Sequence, residues 1–318
     1  MESTERLNLN LSRTFSEKLG DTFKFIRLNA GVLLQTHLFI SLPLIILSAG
    51  LLFLLFRDYF SLISTVDSGI FIDEVRFRRE NYSWAIQNLL FPALAVLPVS
   101  ANTLLVMNLY EKKKGEKVTF QEVWKQVPKQ FTRVMLAKLV MLPIILFAQF
   151  PVLFPDDDGA KIFLALFFGI VGMIFYTLFS CVEMLILQHD YPIFKAMGRS
   201  SKIMNRFFWP TLGLHVVILI VYLFMTFAME FPAMIIDTLE GISVLDMDMD
   251  GFWPIFSSAL RAFSGIAGFL LFTIPAATVG INYFSIKEQT NRSNIMERIQ
   301  SIGVVQQPED IYAEDEQY

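Results

Sequence analysis

Six runs, at 28–56, 81–110, 139–155, 162–182, 207–229 and 262–286, contain no Asp, Glu, Lys or Arg. Each is near or above the roughly 20 residues that cross about 30 Å of hydrocarbon as a helix. Hydrocarbon offers the backbone no partner, so an all-helical chain is the only open-ended solution for segments of this kind. The composition agrees: 54% hydrophobic residues, 32 Phe and only 18% charged residues, with a mean hydropathy of +0.51, lie far from a soluble domain. The expected fold is therefore an all-α integral membrane protein with six transmembrane helices, at about 32–56, 84–110, 134–154, 162–187, 207–231 and 254–284.

Three amphipathic basic segments precede the first, third and fifth runs, and they read as copies of one unit. In the first, Phe15, Leu19, Phe23 and Ile26 recur at helical spacing behind a Thr14/Glu17 capping box; in the second, Phe120, Val123, Trp124 and Val127 follow Thr119/Glu122. The third has Asp190 as expected N-cap two residues before Pro192, then Ile193, Met197, Met204 and Phe207. The sequence Leu42-Pro43-Leu44-Ile45 returns as Leu142-Pro143-Ile144-Ile145. Three parallel repeats, each an interfacial amphipathic helix plus a hairpin, are the expected architecture, related by an axis along the membrane normal. The expected division is 1–28 as a cytoplasmic N-terminus with its interfacial helix, 29–286 as the six-helix membrane domain, and 287–318 as a partly disordered cytoplasmic tail.

Orientation follows from the cations. Of the 26 Lys and Arg, all but Arg57, Arg76, Arg78, Arg79, Lys138, Lys161 and Arg261 fall in the first segment, the second and fourth loops, and the tail. The positive-inside rule puts those parts, and both termini, in the cytoplasm. The leading residues are polar and amphipathic, unlike a cleavable signal peptide, so no cleavage is expected. The single cysteine, Cys181, falls within the fourth run and says nothing about redox compartment.

Lys195, Arg199, Lys202 and Arg206 recur at spacings of four, three and four, which places them on one helical face. With Lys125, Lys129 and Arg133 they are the candidate contacts to anionic headgroups, at about 1 kcal/mol per basic residue near the surface. The alternative is that they only obey the positive-inside rule. Charges inside spans are the usual functional pointers. Lys138 and Glu183 sit near expected cytoplasmic ends, where snorkelling is the ordinary explanation; Glu230 and Arg261 lie at similar expected depth and form the candidate intramembrane ion pair. Prolines at 43, 92, 98, 143, 151 and 275 read as packing kinks, with gating hinges as the alternative. Ser264 with Gly268, and Ala276 with Gly280, form a small-residue seam for close helix contact.

Asp246-Met-Asp248-Met-Asp250-Gly251 matches the first half of a calcium loop, but Ser257 stands where the bidentate Glu belongs. An acidic outer loop is the default reading, and Asp246, Asp248 and Asp250 are the metal-ligand candidates under the other. His37, His189 and His215 are scattered, and no His-Glu-x-x-His, Gly-x-Ser-x-Gly or phosphate-loop pattern occurs. No enzyme activity, no cofactor and no nucleic-acid partner are expected.

The segment from Pro192 to Trp209, with Ala196, Arg199-Ser200, Lys202 and Phe208-Trp209, resembles a signature of bacterial six-span inner-membrane families related to the membrane domain of glycerophosphodiester phosphodiesterases. The stretches Asn282-Tyr283-Phe284-Ser285 and Arg298 to Gly303 are similar to the ends of uncharacterised members from Bacteroidota. The resemblance implies six spans in a bacterial cytoplasmic membrane. It does not carry over the phosphodiesterase activity, whose soluble catalytic barrel has no counterpart here. Two functions remain: a non-catalytic module that organises lipids, a partner protein or a second copy of itself, or a carrier for a lipid-like or amphipathic substrate.

Overall fold

A computed structural model describes residues 6–65, 90–147, 158–241 and 252–301, and these are helical with no strand among them. The helices are α1 (Phe15–Thr36), a π-helical turn (His37–Ser41), α2 (Leu42–Thr65), α3 (Phe91–Lys112), α4 (Phe120–Gln126), a second π-helical turn (Val127–Phe131), α5 (Thr132–Phe147), α6 (Asp158–Phe179), α7 (Val182–His189), α8 (Ile193–Gly241), α9 (Phe252–Leu271) and α10 (Thr273–Ser301). Five stretches among the described residues are long and apolar enough to cross a membrane: Phe15–Leu52, Phe91–Lys112, Leu166–His189, Ile193–Ile236 and Ile255–Asn291. They match the expected spans one, two, four, five and six. For the third, 134–154, the described residues stop at Phe147.

The outer surface explains itself only in lipid. Phe39, Ile46, Leu47, Leu54, Phe163, Leu166, Ile170, Ile220, Phe224, Ile255 and Phe263 are all at least 60% exposed, an apolar belt no monomeric soluble protein presents to water. The chain is a multi-pass membrane protein. Its centre is α3, which packs against α1, α2, α5, α7, α9 and α10; Ala101 through Asn108 are buried without a gap, as expected of a helix surrounded by others.

Two expected spans are broken helices. The fourth parts at Ser180–Cys181, between α6 and α7. There Ser200 of α8 inserts its hydroxyl, donating to the Leu178 carbonyl at 2.8 Å and accepting from the Cys181 amide at 3.3 Å, so the interrupted ladder is re-satisfied by a neighbour. The sixth parts at Phe272, between α9 and α10; Pro275 has no amide hydrogen to offer the Leu271 carbonyl. A third break falls inside α8 at Phe207 (φ −112°, ψ 15°), three residues before Pro210. It separates the basic segment 193–206 from the fifth span.

Both capping boxes form as the sequence predicts. Thr14 and Glu17 close α1, and Thr119 and Glu122 close α4, each with the reciprocal pair of bonds. The Glu122 carboxyl is held down to about 2, first by the Thr119 backbone amide and then by Lys113 and the Thr119 hydroxyl. The third amphipathic segment differs. Asp190 ends α7 in the left-handed region (φ 53°), donating its amide to Ile186 O at 3.1 Å, and does not cap α8. Its carboxylate and carbonyl are both taken by Arg133 of α5. An Asp tolerates this conformation better than most side chains, and the clamp fixes it.

The basic residues of the first copy also divide. Lys24 and Arg27 are half-buried and exposed, but Lys18 and Arg13 are buried. Phe15 and Phe23 of the apolar stripe are 45% and 42% exposed, whereas Thr22 and Asn29 on the polar face are 0% and 4%. Helix α1 is amphipathic as predicted and turned with its polar face inward. Lipid is as apolar as leucine, so helices in it associate through packing and interhelical hydrogen bonds. Helix α10 runs unbroken from the sixth span into the tail, to Ser301.

Candidate functional site

The inward polar face of α1, with Arg13 just before it, meets α10 in three rungs. Ser285 Oγ accepts from the Arg13 amide at 3.0 Å, Asn282 Oδ1 accepts from Lys18 Nζ at 2.8 Å, and the hydroxyls of Thr22 and Thr278 lie 3.3 Å apart. Asn282 passes the chain on to Thr211 of α8 through a 3.2 Å bond. One turn further along α8, His215 sits beside the Tyr176 ring with Nδ1 3.3 Å from Thr177 Oγ1. Its Nε2 is buried with no hydrogen-bond partner among the described residues.

Above this seam the segment before α1 is folded into the bundle. Leu7 and Leu9 are 6% and 3% exposed, and the Leu7 amide donates to Tyr110 Oη at 2.9 Å. Arg13 organises it: Nε donates to Asp21 at 2.6 Å, Nη1 to the Leu9 and Leu11 carbonyls at 2.7 and 2.9 Å, and Nη2 to the Asn8 carbonyl. Gly115, at φ +84°, lets the loop after α3 pass close by, with a Cβ there only 3.4 Å from Leu7 O.

A second cluster surrounds the π-helical turn after α1. Asn102 Nδ2 donates to Ser41 Oγ at 2.8 Å and to Thr36 O at 3.0 Å; His37 Nδ1 lies 3.2 Å from Ser41 Oγ, and Nε2 lies 2.9 Å from Thr273 Oγ1. Thr273 donates to Leu270 O at 2.7 Å, so it accepts from His37 Nε2–H, and Nδ1 accepts from Ser41. The cluster thereby ties the π-helical turn to α3 through Asn102 and to the α9–α10 break through His37.

Lys138 and Glu183 do not snorkel. Lys138 Nζ of α5 lies 2.7 Å from Glu183 Oε1 of α7, with side chains 10% and 8% exposed. Residues 45 apart in sequence gave no signal of pairing, because each alone reads as a charge near a span end. Next to them, Gln188 Nε2 donates to Asn108 at 2.6 Å and to Glu111 at 3.3 Å, and Lys287 donates to Gln188 at 3.2 Å. The contacts of Tyr110, Asp190, Gln188 and Lys287 bring the segment before α1, the end of α3, the starts of α5 and α8 and the middle of α10 to one end of the bundle.

At that end the basic face of α8 is open: Lys195, Arg199, Lys202 and Arg206 are all exposed. Lys195 lies 4.7 Å from the Tyr191 ring centre and Arg206 5.7 Å from that of Phe207. Lys125 and Lys129 are exposed as well, whereas Arg133 is engaged by Asp190. At the other end, Ser264 of α9 donates to Met229 O of α8 at 3.0 Å, so Glu230 and Arg261 lie within one turn of that contact; both are exposed. The small-residue seam is intramolecular: a Cβ on Gly268 would lie 3.3 Å from Thr226 of α8, and one on Gly280 would collide with Met107 of α3 and approach Leu104 to 3.2 Å. Asp246, Asp248 and Asp250 lie outside the described residues, and among those described no cluster of three His, Cys, Asp or Glu could hold a metal ion.

Searches against protein-family models, curated proteins and solved structures returned no match for this chain.

Proposed function

We propose that the protein is a non-catalytic multi-pass module of a bacterial cytoplasmic membrane, which gathers anionic lipids, and through them or directly a partner protein, on the basic face of α8. The observation that carries this reading is the simultaneous exposure of Lys195, Arg199, Lys202 and Arg206, with Trp209, 77% exposed, just past the kink at Phe207. Four such cations contribute about 4 kcal/mol at an anionic surface. Trp is the side chain that favours the headgroup level, so the face would stand where headgroups are. By the positive-inside rule this end is cytoplasmic. The likeness of 192–209 to six-span inner-membrane families supports the same placement.

Phospholipids that co-purify in mild detergent provide the test. The wild-type chain should be enriched in anionic headgroups relative to the host membrane, and a variant with all four cations changed to Gln should lose most of that enrichment. Equal lipid profiles would remove the proposal. The buried line from Lys18 through Asn282 and Thr211 toward His215 Nε2, which has no partner among the described residues, favours a second reading, a carrier for an amphipathic substrate. Movement of labelled lipid by the purified chain in liposomes would select it.

A further inference from the structure

A groove of about 380 Å³ lies between the π-helical turn after α1 and the short helix α4, lined by Phe39, Phe120, Gln121, Trp124 and Lys125. Its floor is a ladder of rings, Phe39 to Phe120 at 5.6 Å and Phe120 to Trp124 at 5.8 Å. Phe39 and Trp124 are 63% and 53% exposed, so both rings are open to an apolar chain laid along them. Phe39 belongs to the membrane-crossing stretch Phe15–Leu52, whereas α4 opens at a capped polar N-terminus beyond any apolar run. The groove therefore spans the step from hydrocarbon to headgroup.

Its charge has one sign. Among the described residues Lys125 is the only charged one in the lining, and Lys129 is exposed one turn on. The nearby Glu122 carboxylate faces elsewhere, bonded to Lys113 Nζ at 2.9 Å and to the Thr119 amide at 2.8 Å. The volume is at the small end for a small-molecule site. An occupant that matches this lining is apolar along Phe39 and Phe120 and anionic at Lys125.

We propose that this groove is a stoichiometric site for one anionic phospholipid, an acyl chain lying on Phe39 and Phe120 and the phosphate meeting Lys125, with the Gln121 amide beside the glycerol backbone. The site deepens the lipid-gathering reading but uses α4, not α8. A ring ladder adds what the basic face lacks, a reason for one lipid to stay while others exchange.

Native mass spectrometry of the full chain, delipidated in detergent and titrated with phosphatidylglycerol or with phosphatidylcholine of the same chains, tests it. The wild type should hold one phosphatidylglycerol more tightly than the rest and more tightly than phosphatidylcholine. Lys125→Gln should weaken that adduct about fivefold, the equivalent of about 1 kcal/mol, and Trp124→Leu should weaken it while leaving helix content unchanged. Equal retention of the two lipids, indifference to both variants, or displacement by inorganic phosphate alone would overturn the site. The four-Gln variant of α8 separates the two ideas: it should keep the tight adduct while losing bulk enrichment. Loss of enrichment there with no tight adduct in the wild type sinks the groove and spares the α8 reading. A tight Lys125-dependent adduct without enrichment at α8 does the reverse.

Discussion

Changing Lys138 to Met is expected to lower the unfolding free energy by about 3–5 kcal/mol, the usual result of stranding one member of a buried ion pair. Glu183 would be left nine-tenths buried with its 2.7 Å partner gone. Glu183→Leu should cost a similar amount for the converse reason. The double variant, Lys138→Met with Glu183→Leu, should recover most of the loss, because two apolar side chains of similar volume need no desolvation to sit between α5 and α7. A detergent-titration unfolding curve of each variant gives the cycle directly. Single losses under about 1 kcal/mol that simply add in the double variant would show that the charges are solvated, as the snorkelling expectation has them.

Arg13 carries the second large effect. Its side chain is 2% exposed and meets Asp21 and three backbone carbonyls. Charged hydrogen bonds contribute about 1.5–3 kcal/mol each and do not add fully, so Arg13→Leu should cost about 3 kcal/mol and release residues 6–13 from the bundle. Leu7 and Leu9 would then leave the core. Hydrogen exchange reads this locally: the Leu7 amide, bonded to Tyr110 Oη in the wild type, should lose its protection while α3 keeps most of its own. Lys in place of Arg should not restore it, since an ammonium cannot present the planar fork that serves four acceptors at once. Undiminished protection at Leu7 in Arg13→Leu would refute this role.

The parts legible in the sequence are those set by neighbours along the chain. Thr14 with Glu17 and Thr119 with Glu122 are three residues apart, and both boxes formed because capping is local. Lys195, Arg199, Lys202 and Arg206 lie on one face for the same reason, and the face is open. What the sequence hid was direction and partnership. The period of α1 is plain in the sequence, but periodicity does not say what the polar side meets: Lys18 is buried against Asn282 of α10, 264 residues away. Asp190 before a proline looks like a helix start, yet the Arg133 clamp that makes it an end comes from 57 residues away. The break at Cys181 is invisible locally too, because its remedy is the Ser200 hydroxyl on another helix.

The inward turn of α1 decides which residues face lipid and which make up the interior, so it is the claim to test first. In a chain with Cys181 changed to Ala, cysteines at Thr22 and Thr278, whose hydroxyls are 3.3 Å apart, should crosslink under mild oxidation in native membranes. A pair at Phe23 and Thr278 should not, and Phe23→Cys alone should react with a lipid-soluble label. Crosslinking through position 23 with none through position 22 would place the apolar stripe of α1 against α10 and contradict the account.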